Sequence, residues 1–118
     1  RATLYVGDAL KSRSELRNVF DAFYDKDSFG ALSKGMRTGY CKRLAEYAKK
    51  GAIVYIEVKL KDNHEQVKDM GPPFSLKQED LMDEDNFGAD FVHLAELGPV
   101  YDWPSPSTQQ TGHVLRRK

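Results

Sequence analysis

The nucleophilic and basic side chains of this sequence are few, and their spacing limits the chemistry that they offer. Cys41 is the single cysteine, so an internal disulfide and a cysteine-based zinc site are excluded. The three histidines, His64, His93 and His113, lie far from it along the chain, and no local signature of a cysteine nucleophile surrounds Cys41. We therefore predict that Cys41 is a buried structural residue near the apolar stripe of a helix.

Carboxylates are concentrated in one acidic stretch of the second half, at Asp80, Asp83, Glu84 and Asp85. Carboxylate oxygens are ligands that magnesium and calcium prefer in proteins. Acidic loops are far more often solvated than metal-bound. We therefore predict a solvated loop without a metal site, and we expect no cofactor.

The formal net charge is zero, but the charges are unevenly placed along the chain. Residues 1–59 hold 12 Lys or Arg against 7 Asp or Glu, whereas residues 60–118 hold 6 against 11. The basic half could face nucleic acid or an acidic protein, or the acidic half could fold back on it. The second explanation needs no partner, so a nucleic-acid partner stays possible but is not favoured.

A chain of 118 residues fits one domain. With 40% hydrophobic and 31% charged residues its composition is typical of a soluble protein, and no apolar run approaches the roughly 18 residues that a transmembrane helix needs. No signal peptide is visible, although the chain starts at Arg1 and a leader could already have been removed. A single free cysteine fits a reducing compartment or an organelle interior, and the compartment itself stays open.

Hydrophobic periodicity predicts a β-α-α-β unit in the first 60 residues. Residues 2–7 read as a short strand. A Ser-x-x-Glu capping box over 12–15 is typical of a helix start, and an apolar stripe with helical spacing follows over 16–23. A second helix is predicted over 38–50, and strict alternation predicts a strand over 52–60. We expect both strands in one sheet, with both helices on one of its faces.

The second half is less regular. Short helices are predicted over 62–70 and 75–82, separated by a Gly-Pro-Pro break, and periodicity does not decide between strand and helix over 91–97. Residues 98–118 contain three of the five prolines and are predicted to form an extended tail. The predicted fold class is therefore α+β, with one domain over 1–97 that joins the β-α-α-β unit to an irregular acidic second half.

The predicted tail carries an aromatic pair, Tyr101 and Trp103, in a polar, proline-containing stretch. Aromatic side chains on an extended segment usually rest on a surface, either of their own domain or of another subunit. The chain ends with basic residues that include Arg116 and Arg117. We name Tyr101, Trp103, Arg116 and Arg117 as candidate residues for binding other protein subunits.

One local pattern resembles an EF-hand. Four residues match the first, third, sixth and eighth positions of the calcium loop: Asp25, Asp27, Gly30 and Leu32. Phe29 stands at the fifth position and Met36 at the twelfth, where that family has oxygen ligands. The resemblance implies a degenerate calcium-type helix pair that serves only protein contacts.

A second pattern resembles the GIY-YIG nucleases. Tyr5 in a short strand is followed by Arg13 on the predicted first helix, with the residue types and spacing of that family's second strand and first helix. The resemblance implies a metal-dependent nuclease in which Tyr5 and Arg13 act at the scissile phosphate and Glu65 holds the metal. The family's first strand has no counterpart in the sequence.

A third pattern resembles the small linker domains of phycobilisomes. Residues 15–20 fit the helix of those domains, and residues 50–54 with Glu57 resemble their second strand. Such domains have no catalytic residues and are inserted between larger subunits. The three resemblances exclude one another.

The first functional hypothesis is therefore a non-enzymatic, linker-type interaction subunit that packs into a larger protein assembly. It depends on the lack of a convergent catalytic set, the polarised charge and the aromatic residues of the predicted tail. The alternative is a GIY-YIG-like metal-dependent nuclease, with Tyr5, Arg13 and Glu65 as its catalytic residues.

Overall fold

The computed structural model describes residues 1–102 and 107–118. These residues form a mixed α/β domain around one four-stranded sheet. In chain order the strands are β1 (Phe20–Lys26), β2 (Ala48–Lys61), β3 (Phe91–Pro99) and β4 (Thr108–Arg117). Four α-helices are assigned among the described residues: α1 (Ser28–Ala31), α2 (Lys34–Tyr47), α3 (His64–Val67) and α4 (Gln78–Leu81). A 3₁₀ turn spans Ser14–Leu16, and a π-helical turn spans Glu84–Gly88.

The spatial order of the strands is β1-β2-β4-β3. Strand β1 is parallel to β2, and α1 and α2 form the crossover between them. Strand β4 is antiparallel to both β2 and β3. The coarse prediction of a mixed domain of helices and strands is therefore confirmed. The structure also has a β-α-α-β unit, but it begins at β1, and only its second helix and its second strand correspond to predicted elements.

The predicted first strand and first helix are wrong. Residues 2–7 form no strand among the described residues, and Leu4 and Val6 are almost fully exposed. The residues of the apolar stripe over 16–23 do not form a helix. Leu16 ends a 3₁₀ turn, and the residues from Phe20 onwards belong to β1. Between them Asn18 has a φ of 52°, which is incompatible with a continuing helix. The aromatic residues of β1 favour a strand once β2 offers its hydrogen-bonding groups.

The second helix and the second strand are confirmed with shifted ends. Helix α2 stops at Tyr47, so Lys49 and Lys50, which fall within the predicted helix over 38–50, belong to β2. Gly51 has a positive φ of 82° and lies within β2. There Ala48 pairs with Phe20 and Ile53 pairs with Ala22, so the four residues between them bulge out of the ladder. A glycine without a Cβ allows this bulge.

The prediction of an extended tail does not match residues 108–117. These residues form β4, which pairs with β2 on one side and with β3 on the other. The apolar segment over 91–97, which could have been strand or helix, is part of β3. Trp103 lies outside the described residues.

The helices cover one face of the sheet. The core side chains with at most 5% exposure are Phe29, Cys41, Ala45, Ala48, Ala52, Val54, Ile56, Val58, Leu76, Leu81, Phe87, Phe91 and Leu115. The Phe87 ring lies 5.2 Å from that of Phe29 and 5.4 Å from that of Phe91 between ring centroids. Burial of Cys41 confirms its structural interpretation, and desolvation raises the pKa of its thiol.

A close backbone approach explains one glycine of the acidic stretch. A Cβ on Gly88 would lie 2.1 Å from the carbonyl oxygen of Met82. The predicted acidic loop therefore turns tightly, and the turn brings Phe87 into the core.

The opposite face of the sheet carries partly exposed apolar residues, including Ile53, Val92 and Leu94. Strands β1 and β3 are the two edges. Within 1–102 and 107–118, no helix has both the length and the apolar character required to cross a membrane.

The ring contacts of Phe87 predict a large loss of stability on truncation. We expect Phe87→Ala to lower the free energy of unfolding by about 3–5 kcal/mol, because the cavity opens between two other buried rings. Urea denaturation followed by circular dichroism measures the change. Val6→Ala is the control, since the exposed Val6 should change stability by less than about 0.5 kcal/mol; equal losses in the two variants would contradict the core described here.

Candidate functional site

Polar side chains converge where β1 ends, beside residues 57–59 of the parallel strand β2. In open sheets of parallel strands, ligands bind beyond the carboxyl ends of the strands. Strand β1 ends at Lys26, and the amide N–H of Asp27 donates to the carbonyl oxygen of Glu57 at 3.1 Å, so β1 and β2 stay joined up to this edge. Helix α1 begins at the next residue, Ser28.

Asp25 has a structural task at this edge. Its carboxylate accepts hydrogen bonds from the amide groups of Ser28 at 2.8 Å and Phe29 at 3.3 Å, and from the hydroxyl of Tyr40. Burial and this carboxylate together raise the pKa of Tyr40. The carboxylate therefore fixes the start of α1, in the region where the EF-hand resemblance placed a calcium loop. Among the described residues no group of three or more His, Cys, Asp or Glu is arranged to hold a metal ion.

Six polar residues at and beside this edge form one connected group, which we name the carboxyl-edge cluster: Tyr24, Asp27, Glu57, Lys59, Tyr101 and Gln110. Its centre is the fully buried Gln110 of β4. The amide nitrogen of Gln110 donates to Asp27 Oδ2 at 3.1 Å and to Glu57 Oε1 at 3.3 Å, while its amide oxygen accepts from Lys59 Nζ. One neutral side chain thus holds two carboxylates and one ammonium group in place.

Glu57 is almost completely buried although it lies on the face of the sheet opposite to the helices. Its Oε2 accepts hydrogen bonds from the hydroxyl groups of Tyr24 at 3.2 Å and Tyr101 at 3.5 Å. The Tyr24 ring stacks on that of Tyr55, with 5.7 Å between centroids. Desolvation and the neighbouring Glu57 carboxylate raise the pKa of Tyr24 to about 12 and also raise that of Tyr55, so both phenols stay protonated donors at neutral pH.

Asp27 is held in an uncommon conformation. Its φ of 64° lies in the left-handed region, which few residues other than glycine, asparagine and aspartate adopt. Its Oδ2 contacts Lys59 Nζ at 3.3 Å as well as Gln110. Its Oδ1 is buried and has no hydrogen-bond partner.

A serine, a histidine and an aspartate also meet beside α3, but they do not form a nucleophilic triad. His64 Nδ1 lies 2.8 Å from Ser75 Oγ, and His64 Nε2 lies 3.4 Å from Asp80 Oδ2. Ser75 is only 1% exposed, and its Oγ accepts the amide N–H of Lys61 at 3.0 Å. An inaccessible hydroxyl cannot attack a substrate, so these contacts serve to attach the loop after α3 to β2.

The remaining histidines, the half-buried His93 of β3 and the buried His113 of β4, contact each other. His113 Nδ1 lies 3.1 Å from His93 Nε2, and His113 Nε2 lies 3.4 Å from Thr111 Oγ1. Burial lowers the pKa of His113, the carboxylate of Glu96 acts in the opposite direction, and His93 adds to the lowering. His113 is therefore neutral at neutral pH, and its contacts belong to the packing of the sheet.

The residues proposed for a nuclease do not meet as a phosphate site with a metal ligand. The Arg13 guanidinium lies over the Tyr5 ring, 4.9 Å from its centroid. Glu65 lies on α3, where it pairs with Lys68 at 3.1 Å and Lys77 at 3.9 Å. The lowered pKa of Glu65 comes from its hydrogen bond and charge contact with Lys68.

The residues proposed for binding other subunits are placed separately. Tyr101 belongs to the carboxyl-edge cluster, and the Lys26 ammonium lies 4.8 Å from its ring centroid. Arg117 donates to the carbonyl oxygens of Ala45 at 3.1 Å and Asp90 at 3.3 Å, so its side chain is used within the domain. Arg116 is exposed on β4. A role of these residues in binding other proteins stays a prediction.

Sequence reasoning missed most of the carboxyl-edge cluster. Glu57 was noted only for a strand resemblance, and Gln110 lay in the segment predicted as a tail. A signal for Glu57 and Lys59 was present, because two charged residues alternate with apolar ones in the middle of a confident strand. No sequence signal pointed to Gln110, since its role depends on β4 lying between β2 and β3.

The fold has close counterparts among solved structures. A SAM-dependent methyltransferase from Methanosarcina mazei superposes with a TM-score of 0.73 at 11% identity, over 96% of this chain and 66% of that one. TehB from Haemophilus influenzae superposes with a TM-score of 0.62 at 13% identity, over 97% of this chain and 40% of that one. These likenesses show a fold shared with a SAM-dependent methyltransferase.

The sequence comparisons are more specific. The family model of thiopurine S-methyltransferase (TPMT) matches residues 1–99. A thiopurine S-methyltransferase from Legionella pneumophila (strain Corby) is 32% identical over 78 residues, which are 66% of this chain and 34% of that protein. The chain belongs to the TPMT family, and it spans about a third of the length of this curated relative.

Family membership corrects the functional hypotheses drawn from the sequence. The resemblances to phycobilisome linker domains, GIY-YIG nucleases and EF-hands are wrong, because the TPMT family covers the residues on which all three depend. The non-enzymatic linker-type subunit and the alternative nuclease are wrong for the same reason, since the family is one of methyltransferases. The expectation that the chain is not part of an enzyme is wrong for the same reason.

The hydrogen bonds of Gln110 predict its contribution to stability. We expect Gln110→Ala to lower the free energy of unfolding by about 1–3 kcal/mol, because it leaves buried carboxylate oxygens without their donor. Gln109→Ala is the matched control, since Gln109 is the exposed neighbour on β4. Chemical denaturation of both variants measures the difference, and a loss in Gln109→Ala as large as that in Gln110→Ala would contradict the central role of Gln110.

The lowered pKa of His113 predicts a pH dependence of stability. Its pKa is lower in the folded state than the unfolded value of about 6.5, so the unfolded chain takes up the proton first as the pH falls. The stabilisation is therefore present above pH 6.5 and is lost as the pH falls from there towards the folded pKa. We expect the slope of unfolding free energy against pH between 7 and 5 to be smaller in His113→Gln than in the wild type; an unchanged slope would show that other groups cause it.

Proposed function

We propose that this chain provides the acceptor side of the active site in a SAM-dependent S-methyltransferase. The observation that carries this proposal is the TPMT family match over residues 1–99. Because the chain spans only about a third of the Legionella relative, the activity is proposed for the protein that contains this chain.

The position of the carboxyl-edge cluster supports the proposal. It lies at the carboxyl end of β1 and beside the last residue pairs of its ladder with the parallel strand β2, on the side where sheets of this kind bind their ligands. The Asp27 and Lys59 side chains remain partly accessible there, while Glu57 and Gln110 beneath them are buried. The buried, hydrogen-bonded side chains of Glu57 and Gln110 fix the positions of the accessible Asp27 and Lys59, and such a rigid arrangement is suited to holding an acceptor in one orientation.

The family implies S-adenosylmethionine as the methyl donor, and the residues present fit one part of it. When bound, this cofactor supplies an electrophilic methyl group on a sulfonium cation. Aromatic rings such as those of Tyr24 and Tyr101 at the edge are suitable neighbours for a cation. The G-x-G-x-x-G turn that binds nucleotide cofactors in related sheets does not occur in the 118 residues, so we assign no nucleoside contact to this chain.

The task of this chain's residues is positioning. A thiolate attacks without a proton transfer in the same step, so the rate depends mainly on holding the sulfur in line with the methyl group. Glu57 has both of its oxygens engaged, by Gln110 on one side and by Tyr24 and Tyr101 on the other. The phenol rings are thereby fixed as walls for the acceptor.

Transfer of a labelled methyl group from S-adenosylmethionine to a thiopurine tests the proposal in the full-length protein. We expect methyl transfer in the wild type and a loss of about tenfold in kcat/KM in Glu57→Gln, which corresponds to about 1.4 kcal/mol. Glu65→Gln is the control, because Glu65 pairs with Lys68 on α3 and should leave the rate unchanged. Absence of transfer to any thiol by the wild-type protein would overturn the proposed function.

A further inference from the structure

The three hydrogen bonds that the described structure gives the Asp25 carboxylate come from neutral groups. Its Oδ1 accepts the amide N–H of Ser28 at 2.8 Å, and its Oδ2 accepts the amide N–H of Phe29 at 3.3 Å and the hydroxyl of Tyr40. Asp25 is only 3% exposed, so water does not readily replace a donor that is lost. Hydrogen bonds to a charged group are also stronger than those between neutral groups. The Tyr40 hydroxyl is therefore one of three contacts that keep this carboxylate in place.

The two amide contacts of Asp25 close a turn around Lys26 and Asp27. They join the end of β1 to the first two residues of α1. Helix α1 has only four residues, too few to form by themselves, so its start depends on tertiary contacts. Asp27 has a left-handed φ of 64°, which is unfavourable for a residue with a Cβ. The Asp25 carboxylate therefore stabilises a turn that local preferences do not favour.

Both residues inside this turn contact the carboxyl-edge cluster. Asp27 Oδ2 lies 3.3 Å from Lys59 Nζ and accepts from the Gln110 amide at 3.1 Å. The Lys26 ammonium lies 4.8 Å from the centroid of the Tyr101 ring. A displacement of the turn would therefore move two charged side chains relative to β2 and β4.

Tyr40 reaches the turn from α2, which covers the other face of the sheet. Burial and the Asp25 carboxylate raise the pKa of its phenol, so the hydroxyl stays protonated and donates. The Tyr40 ring also packs near that of Phe29, with 6.2 Å between centroids. Tyr40→Phe keeps this ring and removes only the hydroxyl, so the variant isolates the contact with Asp25.

We propose that Tyr40 is a positioning residue for methyl transfer, because through the Asp25 carboxylate it holds the turn that places Lys26 and Asp27 beside the acceptor. This inference rests on the proposed function and adds to it a residue outside the carboxyl-edge cluster. Tyr40 acts from the covered face of the sheet and need not touch the acceptor. Its influence on the reaction is therefore geometric.

Steady-state kinetics of the full-length protein test the inference, with S-adenosylmethionine and 6-mercaptopurine as substrates. We expect Tyr40→Phe to lower kcat about tenfold and to leave KM for S-adenosylmethionine within about twofold, since a small misplacement at the reacting groups costs rate more than it costs donor binding.

The matched control is Tyr47→Phe, on the same helix. The half-buried Tyr47 hydroxyl donates to the carbonyl oxygen of Lys11 at 3.1 Å and accepts the amide N–H of Arg13 at 3.0 Å. The same substitution there removes hydrogen bonds to a different segment of the chain, so kcat should stay as in the wild type. Thermal melting of both variants compares their stability.

A double-mutant cycle shows whether Tyr40 acts through Asp25. Asp25→Asn keeps the size of the side chain and removes one of its two acceptor oxygens together with the charge, so we expect it to lower kcat as well. The variant that combines Asp25→Asn with Tyr40→Phe should be no slower than Asp25→Asn alone, because both changes break the same link. Effects that multiply would overturn the inference. If Asp25→Asn does not fold, the comparison of Tyr40→Phe with Tyr47→Phe decides.

The outcomes separate the inference from the proposed function. If the wild type transfers methyl groups and Tyr40→Phe retains its kcat, the proposed function stands and the positioning role is wrong. That role is also wrong if Tyr40→Phe and Tyr47→Phe lower kcat and the melting temperature equally, since the hydroxyl would then serve stability alone. If the wild type methylates neither 6-mercaptopurine nor any other thiol, the proposed function fails and the inference fails with it.

Discussion

The structure depends on the insertion of β4 between β2 and β3. This strand uses both of its hydrogen-bonding edges, so without it β3 would have no neighbour and β2 would lose its antiparallel partner. Its side chains serve both faces of the sheet. Leu115 enters the core beneath the helices, whereas Gln110 joins the charged groups at the carboxyl edge. The ten residues of β4 therefore determine both the packing of the core and the arrangement of the carboxyl-edge cluster.

The carboxyl edge is stabilised by a division of tasks among three acidic residues. The carboxylate of Asp25 accepts hydrogen bonds from the first amide groups of α1 and from the Tyr40 hydroxyl, so it fixes the backbone after β1. Glu57 is buried and fully engaged by neutral donors, which keeps its charge from being isolated. Asp27 lies between them with one oxygen engaged and one left over. Similar residue types within a short distance thus have different functions because their hydrogen-bond partners differ.

The sequence was sufficient for the elements with strong local patterns. Helix α2 and strand β2 could be located, because their periodicity agrees with their tertiary contacts. The apolar segment of β3 could be recognised as part of the fold, but its periodicity did not decide between strand and helix. Strand β1 was mistaken for a helix, since its residues also have helical spacing and only the parallel pairing with β2 decides between the two. Strand β4 was missed because the prolines before it and its polar residues resemble an unstructured tail. Gln110, which connects the residues of the carboxyl-edge cluster, lies on β4. The cluster was therefore missed together with that strand.

The outer edge of β1 and the exposed face of the sheet have a consequence for the behaviour of the polypeptide by itself. An edge strand presents a row of unused N–H and C=O groups to any other extended chain, and here the adjoining face carries exposed apolar residues such as Ile53 and Val92. We expect this exposed edge to affect how the polypeptide associates in solution. At high concentration the separated polypeptide is expected to add strands from its neighbours and to grow into oligomers, so its solubility depends on what else occupies that edge.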